Sequence, residues 1–220
     1  MKKSFRKKFT VAAGLLAAFA VWTVSVRFAD VRAIGPEGSC VGFATVNGLF
    51  HRLTGVNMTL YTVTDWLGLV PVAVCVGFAV FGLSQWIKRK SISKVDRDIL
   101  ALGGFYIAVM AVYILFEYVV INRRPVLIEG YLEASYPSST TLLVLCVMPT
   151  AILQLNSRIK NVFLRRCVVS LISAFILFMV IGRLVSGVHW LTDIIGGVFL
   201  SAGLVMMYCA FSDPKEIKAA

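Results

Sequence analysis

Apolar runs long enough to cross a bilayer, separated by short basic links, constrain this chain more than any other feature. A helix needs about 20 apolar residues to traverse roughly 30 Å of hydrocarbon. Six stretches meet or approach that length: Phe9 to Val26, Trp66 to Ile87, Ile99 to Ile121, Ser138 to Leu155, Cys167 to Val185 and Trp190 to Phe211. Backbone polar groups in lipid must be satisfied within the protein, so only helices or closed barrels span. Unbroken apolar runs, without two-residue alternation, select helices. The expected fold is therefore all-α: a six-transmembrane helical bundle, with residues 1–220 forming a single membrane-embedded domain. The composition agrees, at 59% hydrophobic and 15% charged residues, against about half and a quarter in soluble domains.

The polar links carry the orientation signal. The segment before the first run is basic, with Lys2, Lys3, Arg6, Lys7 and Lys8 within residues 1–8. The run that follows is too long for a signal-peptide core and lacks a small-residue cleavage pattern, so it reads as an uncleaved anchor. Between the first and second runs, Phe43, Val46, Phe50 and Leu53 recur at helical spacing, which predicts a short amphipathic surface helix. With six spans both termini share a side. That side carries 16 of the 22 Lys and Arg residues, counting the N-terminus, the second-to-third and fourth-to-fifth links and the polar tail at 212–220; the other side carries Arg27, Arg32, Arg52, Arg123, Arg124 and Arg183. The positive-inside rule then puts both termini in the cytoplasm of a cell-membrane protein. The net charge of +11 belongs to this pattern and to anionic lipid heads, not to nucleic acid, since no basic stripe with interleaved aromatics occurs. Five cysteines without CxxC spacing, four of them inside apolar runs, exclude a disulfide framework or a zinc site. Trp66, Trp86, Tyr136 and Trp190 lie near run ends and read as an interfacial aromatic belt.

Chemistry-bearing residues concentrate on the external side. The link after the third run reads Asn122-Arg123-Arg124-Pro125, the fourth run opens Tyr136-Pro137-Ser138-Ser139-Thr140, and the fifth and sixth runs meet across Arg183, His189 and Asp193. Arg guanidinium groups bind phosphate oxygens bidentately. A helix start with Ser138 and Ser139 adds free N–H groups, a positive dipole end and hydroxyls. His189 and Asp193 are four residues apart and share a helix face, so the carboxylate is placed to orient the imidazole. Arg123, by contrast, reads as an interfacial anchor that snorkels. Glu117, near the end of an apolar run, is costly there unless it pairs with an arginine.

These segments resemble the type 2 phosphatidic acid phosphatase family, which shares its core with vanadium haloperoxidases. That family carries Lys, six residues, Arg-Pro; then Pro-Ser-Gly-His; then Ser-Arg, five residues, His, three residues, Asp. Arg124-Pro125, Pro137-Ser138 and Arg183, His189 and Asp193 match in order and spacing, within about Glu117 to Gly197. The resemblance implies an integral membrane phosphatase acting on a lipid phosphate or diphosphate at the external leaflet. It implies His189 as nucleophile forming a phosphohistidine, Asp193 as its orienting carboxylate, Arg124, Arg183 and Ser138 as phosphate ligands, and no metal or other cofactor; Ser139 joins the ligands from its place at the helix start alone. The implied partners are the membrane and a phospholipid or polyprenyl phosphate such as undecaprenyl diphosphate, phosphatidate or phosphatidylglycerophosphate, with no nucleic acid.

Four positions depart from the pattern: Glu117 stands for Lys, Ser139 for Gly, Thr140 for His and Gly182 for Ser. Thr140 matters most, because the family's histidine there protonates the leaving group and a threonine hydroxyl is far too weak an acid. Three readings follow. The substrate carries a good leaving group, as a diphosphate does; or His51, Glu129 or Glu133 supplies the proton; or the chain binds lipid phosphates without cleaving them. The retention of His189 and Asp193 together with both arginines favours an active phosphatase.

Overall fold

The computed structural model describes residues 2–212; the expected tail, with Lys215 and Lys218, lies outside the described residues apart from Ser212. Eight α-helices are present among them: α1 (Lys2–Phe28), α2 (Ala44–Thr54), α3 (Met58–Leu67), α4 (Leu69–Arg89), α5 (Arg97–Tyr118), α6 (Ser139–Arg158), α7 (Val162–Val185) and α8 (Leu191–Phe211). Six segments are long and apolar enough to cross a membrane, with α3 and α4 together making the second, Met58–Arg89. The six-span helical bundle expected from the runs is what forms.

The second and fifth spans start earlier than the runs of apolar residues suggest. The second begins at Met58 because Asn57 caps α3, its side chain accepting from the Leu60 amide at 2.9 Å, and the helix turns at Gly68 into α4. The fifth begins at Val162, where Asn161 accepts from the Leu164 amide at 3.0 Å, and so includes Arg165 and Arg166. Side-chain caps that satisfy free N–H groups override a boundary drawn from hydropathy alone. The first link also holds a small antiparallel pair, β1 (Arg32–Ala33) with β2 (Cys40–Val41), outside the all-helical expectation for that segment.

α6 and α8 form the centre. In α6 56% of the apolar window is buried, and in α8 44%, against 17% or less in every other span. α1 packs along α8, and α6 contacts α4, α5, α7 and α8. The outer helices are mostly apolar, while α6 and α8 meet through small and polar residues, Gly197 against Thr141 and Ser201 against the Leu142 carbonyl among them. Such contacts, and not hydrophobic exclusion, hold helices together in lipid. Tyr208 and Gln154 illustrate this, joined by a 2.6 Å hydrogen bond between α8 and α6.

The two faces of the bundle differ in kind. The start of α1 meets the end of α8, with Lys8 Nζ donating to the Cys209 carbonyl at 3.3 Å and Phe5 edge-on to Phe211. The basic links sit there too, held by Arg89 to Asp96 at 2.7 Å and Arg158 to Asp98 at 2.7 Å. The opposite face carries α2, the β-pair, the segment between α5 and α6, and the turn between α7 and α8.

α2 is the amphipathic helix expected around Phe43 to Leu53. Val46, Leu49 and Leu53 are exposed, whereas Asn47 is buried and ties the helix down. Its amide donates to the Gly42 carbonyl at 2.7 Å and to Thr192 Oγ1 at 2.9 Å, and its carbonyl accepts from the Thr192 amide at 3.2 Å. The surface helix is thus fastened to the first turn of α8. Two of the four aromatics assigned to a belt do not belong to one. Trp66 and Trp86 are exposed, but Tyr136 and Trp190 are buried. Tyr136 is bonded to Thr23 at 2.7 Å and Trp190 Nε1 donates to the Arg123 carbonyl at 2.7 Å. Each has a polar tip with an internal partner, which removes the reason to sit at the interface.

Candidate active site

The segment between α5 and α6 doubles back as a short hairpin. Arg123 bridges Ala134, the Arg124 amide donates to the Glu133 carbonyl at 3.1 Å, and the Ser135 amide donates to the Asn122 carbonyl at 2.9 Å. This fold-back puts Arg124, Glu133 and Ser135 side by side although the sequence separates them. Across from them, the α7–α8 turn is set by Gly187, at φ +71, where a Cβ would also collide with the Gly55 carbonyl. Only glycine accepts both the left-handed backbone and that approach, and His189 is presented two residues later.

His189 is buried, at 3% exposure. Asp193 was expected to hold it directly, but its Oδ2 lies 3.9 Å from Nδ1, beyond hydrogen-bond reach. Ser135 fills the gap. Its Oγ is 3.1 Å from His189 Nδ1 and its hydroxyl bonds to Asp193 Oδ2; the Ser135 carbonyl is 3.2 Å from the same Nδ1. One proton assignment gives every contact a donor: Nδ1–H donates to Ser135, and the Ser135 hydroxyl donates to the carboxylate. Nε2 then carries the lone pair, and Nε2 has no hydrogen-bond partner among the described residues. Asp193, fully buried, accepts also from the Trp190 amide at 2.9 Å and Asn122 Nδ2 at 3.4 Å, which offsets its desolvation. Burial first, then the charges of Arg124 and Arg183, hold the His189 pKa well below the usual histidine value. The imidazole is therefore neutral, as a nucleophile must be.

Beside this triad opens a cavity of about 630 Å³. Arg124 and Arg183 line it, at 7% and 1% exposure. Both guanidinium groups face the Tyr61 ring, at 5.9 and 5.0 Å from its centroid. Arg124 Nη1 and Arg183 Nε are buried without a hydrogen-bond partner. Buried guanidinium N–H groups left unpaired in protein are rare and costly, and an oxyanion in the cavity would satisfy them. His189 does not line this cavity; it lines a small adjoining one, and Glu117, Ala134 and Ser139 line both. No cluster of metal-ligating side chains occurs among the described residues.

The remaining residues singled out by sequence divide clearly. Ser139 lines the main cavity and also a water-sized cavity of about 10 Å³ that reaches His189. Ser138 lines neither: it is buried at the N-cap of α6, where its Oγ accepts from Thr141 Oγ1 at 3.0 Å, so its hydroxyl serves the helix. Thr140 lines the main cavity, as does Glu133, whose Oε2 is 3.0 Å from Arg124 Nε. Glu129 sits at the hairpin tip, exposed and away from the cavity. His51 faces a separate cavity of about 280 Å³; its Nε2 is 3.2 Å from the Gly187 carbonyl and its ring lies against Trp190. Of the three substitute acids, only Glu133 reaches the anion cavity. Arg123, read as an anchor, lines the cavity and bonds to the Leu132 carbonyl at 2.9 Å. Glu117 lines both cavities and is ion-paired with neither arginine.

Sequence reasoning missed Ser135, Asn122 and Asp65. Asp65 Oδ1 stands 3.3 Å from Arg183 Nη2, although α3 and the end of α7 are far apart in sequence. Their approach explains one departure from the expected pattern. A Cβ on Gly182 would lie 2.7 Å from Thr64 Cγ2, so the glycine lets α3 come close enough to pair with Arg183. The single available signal for Asp65 was an acidic residue at the edge of an apolar run, which is costly there without a partner.

A family model described as the PAP2 superfamily matches residues 72–215, more than half of the chain. Among solved structures, the fold is similar to the "first transmembrane PAP2 type phosphatidylglycerolphosphate phosphatase from Bacillus subtilis", with a TM-score of 0.58, 18% identity, and 94% of this chain and 96% of that one covered. No curated protein sequence matches the chain.

Proposed function

The chain belongs to the PAP2 superfamily, and from that premise we propose that it is an integral membrane lipid phosphatase working through a phosphohistidine. The observation that carries this reading is the buried, neutral His189 with a free Nε2, together with two nearby arginines that each keep a buried N–H group without a partner among the described residues. His189 Nε2 attacks phosphorus in line, and the bond to the leaving alkoxide or phosphate breaks. Arg124 and Arg183, with the α6 N-terminus and Ser139, hold the equatorial oxygens. Asp193 stabilises the imidazole through Ser135. Water then attacks the phosphohistidine, releasing phosphate and restoring the neutral ring.

A lipid substrate suits the surroundings. The main cavity extends inward past Leu69, Val72 and Leu143. One helical turn further along α4 and α5, at Cys75 and Met110, an apolar crevice of about 660 Å³ begins. A headgroup in the polar cavity therefore has a path for its chain between α4 and α5 without crossing water. The charge asymmetry of the links supports cytoplasmic termini, and hence a site at the external leaflet of the cell membrane. The whole chain acts as one membrane-embedded unit.

Thr140 narrows the chemistry. With no imidazole at that position, a leaving group that needs little protonation is favoured, which points to a diphosphate such as a polyprenyl diphosphate; among the substitute acids read from sequence, Glu133 alone is placed to assist. The same observation supports a second reading, a binder of lipid phosphates without turnover. Phosphate release by the purified chain from a polyprenyl diphosphate and a lipid monophosphate separates the two. Release that His189→Ala abolishes while lipid binding persists is the expected result, together with an acid-labile phosphoryl label on the wild-type protein during turnover. Equal release by wild type and His189→Ala would remove the nucleophile assignment.

A further inference from the structure

The wall of the anion cavity is charge-balanced. Three arginines, Arg123, Arg124 and Arg183, are matched by three carboxylates, Asp65, Glu117 and Glu133. Arg124 and Arg183 lie beneath the carboxylates, whereas Arg123 is exposed. The side chains of Arg124 and Arg183 are 9% and 2% exposed, whereas those of their partners Glu133 and Asp65 are 44% and 54% exposed. Each carboxylate meets one nitrogen of its arginine, at 3.0 and 3.3 Å, and Arg124 Nη1 and Arg183 Nε stay unpartnered. Glu117 meets neither arginine, yet lines the same wall and the small cavity beside His189.

Holding the arginines in place accounts for Asp65 and Glu133 but not for Glu117, and not for the outward position of all three. A bare phosphate dianion bound to the inner guanidinium groups lies beneath a rim of three carboxylates and one guanidinium, Arg123, whose net charge has the same sign as its own. Like charges disfavour each other most where water is scarce. A cation carried by the ligand itself relieves that repulsion. We propose that the headgroup this site prefers is zwitterionic: a phosphate seated on Arg124 and Arg183, and a protonated amine a few bonds away seated on the rim of Asp65, Glu117 and Glu133. This deepens the phosphatase reading and rests on it for turnover, but the recognition itself is a matter of binding.

The test uses the full chain in detergent micelles and two probes of equal chain length, octadecyl phosphate and 2-aminooctadecyl phosphate. At pH 7 the amine is charged, since alkylammonium groups titrate near about 10. Wild type is expected to favour the amino lipid by at least about 10-fold in kcat/KM, a factor equivalent to about 1.4 kcal/mol. In Asp65→Asn/Glu133→Gln the ratio of the two falls towards unity, whatever loss of rate on both lipids the missing Glu133 carboxyl brings. Equal kcat/KM for the two lipids in wild type overturns the proposal, as does a preference that survives the double substitution. A preference that vanishes with EDTA also overturns it, by assigning the rim to a divalent cation. Should neither monoester be turned over, the phosphatase reading is judged by phosphate release from the polyprenyl diphosphate alone. The rim is then judged by the rise in melting temperature with each lipid: a larger rise with the amino lipid, lost in the double variant, upholds it, and equal rises overturn it.

Discussion

Replacing Ser135 with alanine tests the least expected feature of the site, a hydroxyl interposed between His189 and Asp193. The substitution removes the Oγ that lies 3.1 Å from Nδ1 and bonds to Asp193 Oδ2. It leaves Nδ1 the Ser135 carbonyl at 3.2 Å and leaves the carboxylate the Trp190 amide at 2.9 Å and Asn122 Nδ2 at 3.4 Å, so neither partner is stranded. What is lost is one charge-assisted hydrogen bond, worth about 1.5–3 kcal/mol. Because positive charge develops on the ring as Nε2 bonds to phosphorus, that loss falls mainly on the transition state. At 1.36 kcal/mol per decade, kcat drops by about 10- to 150-fold. KM changes little, since Ser135 is absent from the wall of the anion cavity. The assay is steady-state phosphate release by Ser135→Ala, Asp193→Asn and the double variant, with melting temperatures as folding controls. A relay predicts non-additivity: once Asp193 is neutralised, removing Ser135 costs almost nothing more. Multiplying penalties, or a Ser135→Ala enzyme within 3-fold of wild type on a scale of order tenfold per lost bond, would refute the relay.

Other outcomes follow from the same geometry. The acid limb of kcat/KM falls well below pH 6.5, the usual histidine pKa, because burial and two arginines favour the neutral ring; Arg124→Ala shifts that limb upward while lowering kcat/KM by about 10²–10³-fold. Stability has the same sign. A histidine with a depressed folded-state pKa contributes fully above its unfolded value and loses that contribution as pH falls from about 6.5 towards the folded value, so melting temperature declines over that range and His189→Asn flattens the decline. Thr140→His places an imidazole on the cavity wall and raises monophosphate hydrolysis more than diphosphate hydrolysis; no change in that ratio would mean that another group already delivers the proton. Gly182→Ala pushes a methyl group to 2.7 Å from Thr64 Cγ2 and loosens the Asp65–Arg183 pair, costing about 1–3 kcal/mol, read as a lower melting temperature and a raised KM.

The sequence by itself determined the bundle. Apolar runs of bilayer length leave the backbone no choice but helix, and polar links must then lie at the two faces, so six spans and the clustering of Arg124, Arg183, His189 and Asp193 on one face were legible from one-dimensional patterning. Spacing likewise brought His189 and Asp193 near each other, although His189 precedes the Trp190 cap of α8 and so does not share a helix face with Asp193. Tertiary structure alone decided how they touch. A four-residue offset fixes direction to within a helical turn, but whether an imidazole meets a carboxylate directly or across a hydroxyl depends on a few tenths of an ångström and on a hairpin from a different segment. That hairpin brought Ser135 into the gap, tied Glu133 to Arg124 and left Glu129 at its tip. The exclusion of His51, the capping role of Ser138 and the pairing of Asp65 with Arg183 have the same origin. Each turns on which side of a wall a side chain emerges, and that is set by close approaches such as Gly182 against Thr64 and Gly187 against Gly55, which periodicity does not encode.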